Sequence, residues 1–442
     1  MIRMQGAGSA GGVPAVLSAA AAVTVILAAQ VIAAPPDTGR EQPRFLRVVS
    51  EKERSVALEV AARSYTRDGA PGHRVVLVGA VHIGNESYYR LTQKVLDACD
   101  AVLYESVKPA GAGGAGGDDD EERIASTQAA LEFLAGVAAT CRERDGAYPR
   151  DVDALRRCAQ SIDPRLPGFV DAALTDGWGR AVLYECCRVV GDGGEPAPRV
   201  MSLGADGKRG GEGAAADLEA EYSPEPLMQR DEGVNLQGEL AAALGLAFQL
   251  DAVDYGRADW RCSDMSIDQV QRELDERGLD FTLVEETLAG SSLPAKIIKF
   301  LLGVIRLADA LTEGAASDTI KVLLIEMLGD ESLIESSLDQ LGEGFAEVLI
   351  DHRNQVVVDD LKGLMERDEA PASVGVFYGA GHMPDLEQRL CGQLGYRAGG
   401  VQWLRAIEVD LTQSAVSQAE VARLRLMVRR MMRQLRDVRQ GR

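Results

Sequence analysis

The chain has 442 residues, 46% apolar and 26% charged, the composition of a globular protein of two or three domains and not of a disordered or all-membrane one. Asp plus Glu number 68 against 47 Lys plus Arg, a net charge of -21 that argues against a nucleic-acid partner and leaves divalent cations as natural ones. With only His73, His82, His352 and His382, and seven Cys without a C-x-x-C, tandem zinc fingers, zinc ribbons and thioredoxin-like motifs are excluded.

Arg3 is the only charge in the first 36 residues, and an Ala/Val/Leu/Ile-rich run from Val13 to Ala34 precedes Pro35-Pro36. With Val31-Ile32-Ala33 as cleavage-site residues, the pattern predicts export. Residues 1–36 then serve as a signal peptide or, at about 20 apolar residues, as an anchor of a periplasm- or exterior-facing protein. In an oxidising compartment some Cys pair, and the odd count leaves at least one free. Ser55 to Tyr65 and Arg74 to Gly79 read as a hairpin around Arg67-Asp68-Gly69. "VVLVGAVHIG" is the apolar run of a buried strand and ends in Gly79 and His82. "NESYYRLTQKVLDACD" has helical spacing at Tyr88, Leu91, Val95 and Leu96, with Asn85 or Ser87 as N-cap. "AVLYESV" is a second buried strand that ends at Glu105. A right-handed β-α-β unit makes the two strands parallel.

Residues 109–121 open "PAGAGGAGGDDDEE", a flexible acidic linker at a domain boundary. Its G-x-G-x-x-G (Gly111, Gly113, Gly116) follows no strand directly and runs into acids, so it is not a dinucleotide loop. Texture changes over 122–219: a helix, "ASTQAALEFLAGVAATCRERDG", then "AYP", then "FVDAALTDGWGRAVLYECCRVV", then the loop "VMSLGADGKRGGEGAAADL". Cys186 and Cys187, adjacent on a strand, point to opposite faces, and either could pair with Cys141 or Cys158.

This passage resembles the periplasmic globular domain of type II secretion major pseudopilins, with its "YP", "DGWG" and "SLGADG" motifs. The pseudopilin leader and long apolar helix are missing, so the resemblance implies an α+β insert and not a pilus subunit. It also implies calcium in the Gly-rich loop, held by the carboxylates of Asp206 and Asp217 and carbonyls such as that of Leu203. Gly207, Gly210, Gly211 and Gly213 let the backbone wrap an ion; the plain alternative is a loop using Asp only as turn residues.

Helical texture returns over 220–412. "DEGVNLQGELAAALGLAFQLDAVDY" reads as a helix and a short strand, and "MSIDQVQRELDERG" as a helix. "PAKIIKFLLGVIRLADALTEG" reads as a central helix or one wall of a cleft, too short and too polar at its ends for a membrane span. One or two helices follow in "ESSLDQLGEGFAEVLIDHRNQVVVDDLKGLMERD", then strand, turn and helix in "ASVGVFYGAGHMPDLEQRLCGQLGY", and a last strand in "VQWLRAIEVDL". In "DYGRADWRCSD", Tyr255, Arg257 and Asp264 are candidates to cap a cleft. Residues 413–442 hold a basic helix, with eight Arg against Glu420 and Asp437 after residue 415. Leu424, Val428, Met431 and Leu435 form one side, suited to the chain's own acidic body or to anionic lipid.

The chemistry rests on a repeat of form. "VVLVGAVHIG" and "VGVFYGAGHMP" are both apolar strands ending in G-x-x-H, which puts His82 and His382 at strand-to-helix turns. Parallel strands can bring both to one C-terminal sheet edge, where open α/β folds keep their sites, and Glu105 can reach the same edge. Two imidazoles and a carboxylate are an adequate ligand set for a transition metal such as Mn, Co or Zn.

In these motifs the chain resembles the TraB/PrgY/GumN superfamily, which includes the Tiki metalloproteases and is related in fold to ChaN-like haem-binding and erythromycin-esterase proteins. The likeness runs from Ser55 to Val107 and from Tyr222 to Asp410. It implies an α/β fold, a mixed sheet with flanking helices, split into 44–108 and 220–412 by the insert. It implies a metal site of His82, Glu105 and His382, with Glu105 as ligand or base. The family's Arg-Asn pair falls on Arg353 and Asn354, with Arg353 fixing a carboxylate or stabilising an oxyanion. His352 points about 100° away on the same helix, and His73 lies in the hairpin turn. The implied function is a metal-dependent hydrolase acting on peptide or protein. The alternatives are a non-enzymatic peptide- or haem-binding protein, or a secretion-system adaptor acting through the insert. No H-E-x-x-H is present, so a zincin mechanism is not available.

Overall fold

A computed structural model describes residues 45–51, 54–67, 73–189, 196–220, 232–279, 315–329, 344–345 and 347–439. The export segment, the Asp68-Gly69 turn and the "PAKIIKFLL" run lie outside the described residues. In chain order the elements begin with β1 (Leu46–Glu51), β2 (Ser55–Arg67), β3 (Arg74–Ala80), β4 (Ile83–Gly84), α1 (Glu86–Leu96) and β5 (Ala101–Tyr104). The intervening region holds α2 (Asp120–Asp145), α3 (Val152–Ile162), α4 (Leu166–Ala173), β6 (Leu183–Val189), β7 (Pro196–Ser202) and β8 (Leu218–Glu219). The chain continues with α5 (Glu232–Ala243), β9 (Ala247–Phe248), α6 (Gln249–Ala252), β10 (Trp260–Cys262), α7 (Ile267–Glu276) and α8 (Ala315–Leu328). A π-helical turn (Glu347–His352) leads into α9 (Arg353–Met365), then β11 (Ser373–Gly379), α10 (Met383–Gly392), β12 (Tyr396–Asp410) and α11 (Gln418–Arg439).

The fold is α/β with flanking helices on a mixed main sheet, in the order β1-β2-β3-β11-β5-β10 with β12 also on β2. β2 pairs antiparallel with β1, β3 and β12, which places the expected hairpin between β2 and β3. β3, β11, β5 and β10 are parallel. The two strands of the β-α-β unit are thus parallel but not neighbours, because β11 lies between them. All seven residues of β11 are buried, as continuous apolar runs in a doubly covered parallel sheet require. One core layer packs Val60, Val78, Tyr88 and Ile325; the other packs Leu77, Val376, Met383 and Leu361.

The intervening region has its own core, in which Leu131, Leu134, Val137 and Val170 are fully buried, and its own three-stranded sheet β6-β7-β8. Asp119 caps α2 by accepting from the Glu122 N–H at 2.9 Å, and Gly146 ends it in the left-handed region at φ 76. A Cys141–Cys158 disulfide ties α2 to α3, so neither is left to pair with Cys186 or Cys187. Among the described residues Cys99, Cys262 and Cys391 are free thiols.

The segment 109–121 departs from the flexible linker that its composition suggests. Ala112 is fully buried in the core of the intervening region, and Lys108 bridges Ser266. Gly111, at φ +73, sits so close to α2 that a Cβ there would stand 2.0 Å from the Ala129 carbonyl oxygen. Its glycines permit close approach as well as freedom. At the C-terminus α11 lies on the chain's own body: Val421 and Val428 are buried, and Arg425 pairs with Glu326 of α8 at 2.9 and 2.8 Å. The side chains of Met431 and Leu435 lie outside the described residues.

Candidate active site

β3 and β11 run side by side in register, Gly79 opposite Tyr378 and Ala80 opposite Gly379, so both G-x-x-H motifs leave the sheet at one edge. The Ala380 N–H donates to the Ala80 carbonyl at 2.9 Å and extends the pairing past the strand ends. A Cβ on Gly79 would stand 2.7 Å from Val60 Cγ1, so the first motif needs glycine for close packing against β2. In the second motif the His382 N–H donates to the Gly379 carbonyl at 2.9 Å, and His382 caps α10.

Glu105 follows β5 on the other side of β11, and its N–H donates to the Phe377 carbonyl at 2.9 Å. Both of its carboxylate oxygens are held. Oε2 accepts the Gly379 N–H at 2.6 Å, and Oε1 accepts Arg353 Nη2 at 2.7 Å. Arg353 also gives Nε and Nη2 to the two oxygens of Asp264, each at 2.8 Å. The guanidinium bridges two carboxylates, and the Asp264 side chain is wholly buried. The donors of Arg353 that face this edge are thus taken up by the carboxylates of Glu105 and Asp264.

Asn354, 0% exposed, determines the state of His382. Its Nδ2 donates to Asp385 Oδ2 at 2.8 Å and to the His382 carbonyl at 3.3 Å, so its Oδ1 faces His382 Nδ1 at 2.8 Å. An amide oxygen can only accept; Nδ1 therefore carries the proton and Nε2 the lone pair. Burial holds the imidazole down to about 4 against the opposing pull of Glu105, which keeps it neutral at pH 7. Burial would raise the Glu105 carboxyl, but neighbouring His382, Arg353 and His82 outweigh it and hold the group well below the ordinary carboxylate range.

Ionised Glu105 Oε1 and unprotonated His382 Nε2 then stand 3.6 Å apart. Two electron-rich atoms at that spacing suit a bridging cation or water, since ligands about 2.1 Å from a shared tetrahedral ion lie about 3.4 Å apart. The donor chemistry fits a transition metal to this extent. Half-buried His82 is the third donor group at the same edge, its carbonyl accepting the Gln249 N–H at 2.8 Å. No three His, Cys, Asp or Glu side chains close into a ready-made cage among the described residues.

Of the candidates in "DYGRADWRCSD", only Asp264 joins the cluster. Tyr255 is packed edge-on to Tyr104 and Trp260, and Arg257 pairs with Asp97. His352 lies 3.1 Å from Glu273, and His73 bonds the Pro371 carbonyl. Asp385, Tyr378 and Ser263 belong to the cluster as well, though no motif in the sequence marks them. Tyr378 donates to the Ser263 carbonyl and stacks edge-on with His382 at 5.3 Å. The signal for Asp385 was its place three residues after His382, one helical turn on.

In the Gly-rich loop of the intervening region, Gly204, Gly207, Gly210, Gly211 and Gly213 all have positive φ. Asp217 Oδ1 is buried and accepts no hydrogen bond. Asp206 is exposed and accepts the Lys208 N–H at 2.9 Å, a turn arrangement; Leu203 is half-buried. Set against known proteins, the chain matches no family model, no curated protein and no solved structure.

Proposed function

We propose that the chain is an exported hydrolase of the TraB/Tiki type that cleaves peptides at the Glu105–His382 edge. The observation that carries this reading is the 3.6 Å gap between an unprotonated imidazole nitrogen and a carboxylate held ionised beside it. Glu105 takes a proton from the attacking water and returns it to the leaving amine. Arg353, anchored by Asp264, keeps that carboxylate in place, and Asn354, by keeping Nδ1 protonated, leaves the lone pair of His382 Nε2 for a cation. His82 and His382, with Glu105 as ligand or base, would hold the Mn, Co or Zn ion implied by the resemblance, which when bound supplies a Lewis acid and lowers the pKa of its water. In the insert, calcium held by Asp217 and loop carbonyls has a structural role, with Asp206 at the loop surface. A secretion-system adaptor acting through the insert is the alternative reading, and membrane association through the N-terminal segment is compatible with either.

Two measurements on the purified full chain test it. Elemental analysis is expected to find a transition metal that His82→Ala and His382→Ala reduce. Peptide-library profiling is expected to find cleavage that His382→Ala abolishes. Metal content indifferent to both substitutions sinks the metal reading, and cleavage indifferent to His382 sinks the hydrolase.

A further inference from the structure

The insert meets the host beside the cluster. The elbow between α3 and α4 carries Arg165, whose Nε and Nη2 are held by Asp163 at 2.9 and 2.6 Å and whose Nη1 donates to Ser106 Oγ at 2.9 Å. Ser106 directly follows Glu105. Its carbonyl accepts the Cys262 thiol at 3.0 Å, and Cys262 packs against both the host core and the insert core. Two residues on is Asp264, the anchor of Arg353. The same host segment is pressed by the insert at Gly256, where a Cβ would stand 2.9 Å from Gln160 Nε2. Its far end is stitched to the chain entering the insert: the Lys108 N–H donates to the Met265 carbonyl at 3.0 Å and the Ile267 N–H to the Lys108 carbonyl at 2.9 Å.

Arg165 and Asp163 keep only 20% and 18% of their side chains exposed. A largely buried ion pair is a weak source of stability but a good device for fixing register. This pair aims Arg165 Nη1 at the hydroxyl of Ser106, the residue after Glu105. We infer that the insert is a working part of the reaction centre, and that Arg165 is a positioning residue which sets Glu105 through Ser106 and the Asp264 segment through Cys262. Its effect on turnover rests on the hydrolase reading; the latch itself does not.

The test uses the full chain with Arg165→Ala and, as the milder change, Ser106→Ala. Iodoacetamide trapping is followed at Cys262 and at buried Cys99 by peptide mass spectrometry. Loss of the latch is expected to speed trapping at Cys262 about tenfold while Cys99 stays as in wild type, a local opening and not a loosened fold. On a peptide the wild type cleaves, kcat should fall about tenfold or more at unchanged KM, with ethylguanidinium restoring it in Arg165→Ala. Unchanged protection of Cys262 in both variants, an equal gain at Cys99, or undiminished kcat overturns the inference. If the wild type cleaves no peptide, the Cys262-to-Cys99 ratio alone decides the latch and the hydrolase reading falls.

Discussion

Replacing Arg353 by Met removes the one guanidinium that joins Glu105 to Asp264. Three bonds to carboxylates of 2.7–2.8 Å are lost. Asp264, with no side-chain exposure, and Glu105, with 13%, are left facing each other's charge. Breaking a buried pair from one side costs about 3–5 kcal/mol, a large share of an ordinary stability of about 5–15 kcal/mol. Urea unfolding followed by circular dichroism should show this in the midpoint, and Arg353→Met with Asp264→Leu should recover about 2 kcal/mol, since one of the two orphaned charges, the wholly buried one, is then gone. The pH dependence should weaken as well. In the wild type the Glu105 pKa lies below its unfolded value, so its stabilisation is complete above the ordinary value of 4.5 and is lost as pH falls toward about 2. Without Arg353 one of the charges that oppose burial is gone, so that pKa moves up toward its unfolded value and the variant loses less stability than wild type as pH falls through the acid range. A loss under about 1 kcal/mol, with an unchanged acid-range slope, would refute the claim that this ion triad builds the site.

Asn354→Ala leaves the His382 Nδ1–H without its acceptor and should cost about 1–3 kcal/mol in thermal or chemical unfolding, together with most peptide cleavage. Gly111→Ala should destabilise by well over about 1 kcal/mol, because a Cβ meets the Ala129 carbonyl. Gly146→Ala, with a similar φ but open space around it, should cost only about 1 kcal/mol; comparing their melting temperatures checks that 109–121 is packed. Cys141→Ser opens a disulfide spanning 17 residues and should lower stability by about 3 kcal/mol, read by the same unfolding curves with and without reductant.

The residues of the cluster were legible because their signals are local. An apolar run ending in G-x-x-H marks a buried strand and the turn after it, and Glu105 ends a run of the same kind. Arg353 and Asn354 were found through the family resemblance. What local pattern does not carry is which strand lies beside which. The place of β11 between β3 and β5 joins residues about 300 positions apart, and no spacing rule encodes it. Asp264 stood among turn-like residues and was only one of three candidates. Arg165 gave no signal, since its partner Ser106 lies across a boundary that composition suggested was loose. Glycines misled there because close approach and freedom use the same residue.

The central claim is that two distant G-x-x-H motifs make one reaction centre, and a double-mutant cycle on peptide cleavage tests it most directly. If His82 and His382 act together, His82→Ala, His382→Ala and the double variant should all lose turnover to a similar low level, because groups acting as a unit are strongly non-additive. Losses that multiply independently, or a single variant that retains wild-type turnover, would contradict it.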